Sequence, residues 1–69
     1  MKLSARNVLR GTIRKIEIGA VNAQITLEIA ADVEVVSIIT VDSVKRLGLV
    51  EGRTAYAVIK ASSVMVAVD

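Results

Sequence analysis

Cysteine, proline, histidine, tryptophan and phenylalanine are all absent from this 69-residue chain. Without cysteine there is no disulfide, no thiolate metal site and no cysteine nucleophile. Without histidine the commonest general base and the commonest transition-metal ligand are missing. These gaps argue against an enzyme. Tyr56 is the single aromatic residue, so the stacking platform of a single-strand nucleic-acid binder is missing as well. The longest apolar stretch, Val33 to Val41, is broken by Glu34, Ser37 and Thr40, far short of the roughly 20 residues that span a bilayer. Residues 1–11 lack the apolar core of a signal peptide. The expectation is a soluble, cytoplasmic protein with no membrane partner.

Hydrophobic residues make up 54% of the chain. A domain this short buries only about 60% of its unfolded surface alone. With no staple to help, self-association is the natural remaining stabiliser. Length allows one domain, residues 1–69.

Twelve valines and eight isoleucines dominate the apolar set, and β-branched side chains favour strands. Val21 to Ile29 alternates strictly between apolar and polar residues, a strand with one buried face. Ala30-Ala31-Asp32 connects it to a strand over Val33 to Val41, whose Val36 and Ile38 make the second face apolar too. The first strand covers Val8 to Ile18. Its alternation slips by one residue at Arg14-Lys15, which predicts a bulge, with Gly11 adding flexibility. Asp42 or Ser43 caps a short helix that stops at Gly48. Thr54 to Lys60 and Val64 to Val68 read as two further strands. The predicted fold is all-β: a five-stranded OB-type barrel with one short helix between strands 3 and 4.

The formal net charge is only +2, but it is unevenly placed. Residues 1–15 hold Lys2, Arg6, Arg10, Arg14 and Lys15 and no acid. Either an anion site or a solvated strand face accounts for this. Two clusters combine a cation with small polar residues: Ser4-Ala5-Arg6-Asn7 and Lys60-Ala61-Ser62-Ser63. Their donors and accessible backbone N–H groups suit a tetrahedral dianion, whose oxygens only accept hydrogen bonds. Both clusters also read as ordinary polar loops. Gly19-Ala20-Val21-Asn22 is a tight turn that could hold an anion or simply reverse the chain. The acids are scattered, with no carboxylate pair and no cation-binding loop.

The order Ser4-Ala5-Arg6-Asn7, Leu9-Arg10-Gly11-Thr12-Ile13, Gly19-Ala20-Val21-Asn22-Ala23, Leu47-Gly48-Leu49 and Ile59-Lys60-Ala61-Ser62-Ser63-Val64 resembles the molbindins, small molybdate-binding proteins. The resemblance covers nearly the whole chain. It implies an OB-type barrel assembled as a homo-hexamer, a trimer of dimers, that holds oxyanions between subunits. It implies a first site type formed by Ser4, Arg6, Asn7, Lys60, Ala61 and Ser62. A second, near threefold axes, would use Ala20, Val21 and Asn22. The implied function is non-enzymatic binding, storage and buffering of molybdate, and of tungstate, with no cofactor and no bound metal cation. The alternative reading is an OB-type single-stranded nucleic-acid-binding module.

Overall fold

A computed structural model describes all of residues 1–69. Four strands form one antiparallel sheet: β1 (Asn7–Ile18), β2 (Asn22–Ala30), β3 (Val33–Thr40) and β4 (Thr54–Ile59). Their spatial order is β3-β2-β1-β4, and the sheet curls strongly into half a barrel. A short helix, α1 (Val41–Leu47), joins β3 to β4. No helix is long and apolar enough to cross a membrane.

The strict alternation of β2 does what it predicts. Ala23, Ile25 and Leu27 are buried, and Ile13, Val44 and Ala57 complete a core of six residues. The slip in β1 is a β-bulge: Ile13 pairs with Leu27 and Lys15 with Thr26, so Arg14 is the extra residue. A bulge lets Ile13 before it and Ile16 after it both face the core despite their odd spacing. The carboxylate of Glu51 accepts a hydrogen bond from the Ile16 N–H at 3.1 Å, just past the bulge. Gly11 is needed for space. A Cβ there would lie 2.6 Å from the Glu28 carbonyl oxygen, so a side chain would push β1 away from β2.

Arg14 turns outward and grips Glu28 with two hydrogen bonds, 3.2 and 3.0 Å long. Glu28 stands opposite Glu34 in the ladder, so the guanidinium offsets a like-charge cross-strand pair. The hydrogen bond and charge of Arg14 hold the Glu28 carboxyl below its ordinary value of 4.5. A depressed carboxyl stabilises the fold at neutral pH, and that contribution disappears as pH falls through the folded-state value. Glu28→Gln should therefore flatten the acid limb of stability below pH 4.5. Thermal melts from neutral to acid pH check this, and an unaltered acid limb would assign the pH dependence elsewhere.

The β2–β3 connection reverses through Ala31-Asp32, with Asp32 at φ 60°. Aspartate enters the left-handed region more readily than most residues, so no glycine is required there. The helix starts earlier than predicted. Its cap is Thr40, whose hydroxyl oxygen accepts the Ser43 N–H at 3.0 Å, and not Asp42 or Ser43. Thr40 is still extended, at φ −73° and ψ 152°, so one residue both ends β3 and caps α1. Gly48 stops the helix as expected, at φ 65°. The Arg53 guanidinium donates to the Leu47 and Gly48 carbonyls, at 3.3 and 2.7 Å, satisfying the helix C-terminus.

The fifth predicted strand does not form. Beyond β4 the chain makes a 3₁₀ turn, Ala61–Ser63, and Val64 to Val68 pairs with nothing. Met65, Val66 and Val68 are almost fully exposed. Alternating β-branched residues supply the propensity for a strand, but a ladder needs a neighbour, and the tail has none within the chain.

Candidate functional site

The two polar clusters, more than fifty residues apart in sequence, meet because β1 runs antiparallel to β4. The register pairs Asn7 with Ile59 and Val8 with Val58. That pairing sets the residues before β1 beside those after β4. Ser4, Ala5 and Arg6, from before β1, and Lys60, Ala61 and Ser62, from after β4, line one open concavity of about 600 Å³ together with Val58. Five of the six residues expected at the first site thus come together. Asn7 does not line the concavity; it begins β1, half-buried, and its place in the ladder aligns the two segments.

No acid lines this concavity, and neither Arg6 nor Lys60 forms an ion pair. The backbone N–H groups of Ser4, Ala5, Arg6, Lys60, Ala61 and Ser62 donate to no backbone carbonyl. For Ala61 and Ser62 the cause is local, since they open the 3₁₀ turn, where the first N–H groups have no earlier carbonyl to meet. Residues carrying two cations, two hydroxyls and six unpaired N–H groups line one hollow with no carboxylate, a donor-rich surface suited to an anion with several acceptor oxygens.

The second expected cluster divides. Ala20 and Val21 share a hollow of about 330 Å³ with Thr40, Val41, Asp42 and Lys45. Asn22 lines a different one, with Glu17, Ile18, Gly19 and Gln24. The Val41 N–H donates to the Val21 carbonyl at 2.8 Å, which brings the start of α1 against the β1–β2 turn. Lys45 adds a cation there that sequence reasoning misses, and Asp42 adds an acid that opposes it. Lys45 lies 24 positions from Val21, and no local spacing signals their meeting. Sequence reasoning misses Val58 too, because its position in the hollow follows from the β1–β4 register alone.

Fold and site together define a small OB-like β-domain with an acid-free hollow that offers hydrogen-bond donors. The chain belongs to the TOBE domain family, whose model matches residues 3–66. It is 46% identical over 69 residues to a probable molybdenum-pterin-binding protein of Haemophilus influenzae, spanning both chains entirely. The structure superposes on MopII of Clostridium pasteurianum with a TM-score of 0.91 and 42% identity, covering 97% of this chain and all of that one. It also matches the molybdate-bound form of the cytoplasmic molybdate-binding protein ModG, with a TM-score of 0.84 and 51% identity, over 88% of this chain and 43% of that one. These relatives are named as binding proteins and not as enzymes. They favour the oxyanion reading over the nucleic-acid one.

Proposed function

We propose that this chain is a single binding domain that takes up molybdate reversibly and serves as a cytoplasmic store and buffer for it, and for tungstate. The observation that carries this reading is the acid-free hollow in which Ser4, Arg6, Lys60 and Ser62 converge. Molybdate is fully deprotonated at neutral pH, so all four oxygens accept. Hydrogen phosphate brings a proton toward a surface of donors. Sulfate has the right charge but is smaller, and leaves some donors badly aimed. An unmade buried hydrogen bond costs about 1–3 kcal/mol, enough for roughly ten- to a hundredfold selection. Ala20 and Val21 are assigned to a second oxyanion site with Lys45 as its cation, and Asn22, which lines a separate hollow, is left out of it.

The working form is a homo-oligomer, a hexamer built as a trimer of dimers, with the anions at subunit interfaces. Only six residues are buried in the single chain. Val36 and Ile38 on β3 and the tail from Val64 to Val68 remain apolar and exposed, as surfaces that another subunit covers would be. Both parts of the reading are testable on the intact protein. Calorimetric titration should show molybdate binding, with sulfate and phosphate much weaker. Sedimentation at micromolar concentration should show an assembly larger than a dimer. A folded monomer would reject the shared sites, and equal affinity for all three anions would reject the ligand.

A further inference from the structure

We infer that Val58 is a specificity-determining residue of the Ser4–Lys60 hollow, an apolar wall that selects large, weakly hydrated oxyanions against small ones of equal charge. This rests on the function proposed above and adds to it a means of discrimination that the donors alone do not supply. Val58 is the one residue lining the hollow that is larger than alanine and carries no polar side-chain group. It lines the hollow together with both donor segments, is half exposed, and lies opposite Val8 in the ladder, so its neighbour across the strand is apolar as well.

An anion seated among the donors turns part of its surface toward Val58. There it loses water and gains no hydrogen bond. The cost of removing water from a charge without replacing it rises as the ion shrinks, because the same charge is spread over a smaller surface. Sulfate and molybdate both carry two negative charges, and sulfate is the smaller, so the wall penalises sulfate more. Donors such as Lys60 attract both ions, and only an element that gives nothing back separates them by hydration. This is selection by exclusion as well as by attraction.

The test uses Val58→Thr in the intact protein, which keeps the volume of the side chain and puts a hydroxyl where the wall was. Competition calorimetry with molybdate and sulfate gives the ratio of the two affinities. Val50→Thr makes the same chemical change at an exposed position between α1 and β4, outside the hollow and outside the surfaces assigned to subunit contact, and serves as the control. The molybdate-to-sulfate ratio should fall by about three- to tenfold in Val58→Thr, less than the full worth of one hydrogen bond to a charged group because both anions gain it and the ratio reads only the difference. It should stay at the wild-type value in Val50→Thr. Sedimentation and thermal melts verify that each variant is folded and assembled. Molybdate binding retained with an unchanged ratio in Val58→Thr would overturn the role of Val58 and leave the oxyanion site standing. An equal fall in the ratio for Val50→Thr would also overturn it, since the effect would not be local. No molybdate binding by the wild-type protein would remove the proposed function itself, and this inference with it.

Discussion

Molybdate affinity should fall about ten- to a hundredfold in Lys60→Ala, the loss of one charge-assisted hydrogen bond at roughly 1.5–3 kcal/mol. Lys60 leads into the 3₁₀ turn and forms no ion pair, so its charge is available to a ligand and its removal leaves no buried partner behind. Ser62→Ala should cost less affinity and more discrimination against sulfate, because it deletes a neutral donor with a fixed direction. Arg6→Ala tests a different point. If the backbone N–H of residue 6 faces the anion while the guanidinium serves a subunit contact, this variant loosens the assembly as well as the ligand. Calorimetry on each variant, with sedimentation to verify the assembly, separates these effects. Unchanged molybdate affinity in an intact Lys60→Ala, Ser62→Ala double variant would mean that the segment after β4 does not bind the ion.

Ile13→Ala should destabilise the fold by about 2–5 kcal/mol, the range for truncating a fully buried aliphatic side chain. Ile13 is the most buried residue, with no exposed surface. Both of its backbone groups are held by the segment just before β4: its N–H donates to the Arg53 carbonyl at 2.9 Å, and its carbonyl accepts the Gly52 N–H at 2.8 Å. A strand pinned in this way cannot close over the cavity, so the loss should lie toward the upper end. Globular domains have roughly 0.05–0.15 kcal/mol of stability per residue, so a chain of this size has little margin to absorb such a loss. The urea midpoint should fall sharply in Ile13→Ala and modestly in Ile13→Val, which removes one methyl and costs about 0.5–1.5 kcal/mol. Equal midpoints for wild type and Ile13→Ala would mean that the cavity collapses and that the core is not centred on the bulge.

Each of these expectations joins a local feature visible in the chain to a meeting visible only in the fold. The bulge is an example of the first kind. Two phases of alternation on either side of Arg14-Lys15 can share one core only if a residue is inserted, so the bulge is legible in the residue pattern itself. The helix cap is legible in type but not in place. Thr40, Asp42 and Ser43 are all competent caps, and the choice falls to Thr40 because β3 delivers it in the extended geometry a cap requires.

Local pattern determined the strands, the bulge, the turn at Ala30-Ala31-Asp32 and the stop at Gly48, since backbone sterics and the burial of one strand face act over a few residues. It also marked Ser4-Ala5-Arg6-Asn7 and Lys60-Ala61-Ser62-Ser63 as donor-rich segments. Tertiary structure alone decided that the two line one hollow with Val58, because the Asn7–Ile59 pairing is set by the whole β1–β4 ladder and not by either end of it. It alone set Lys45 beside Val21 and moved Asn22 to a separate hollow. It also left Val64 to Val68 without a strand partner: strand propensity is a property of residues, but a ladder needs a second strand within reach, and the single chain provides none.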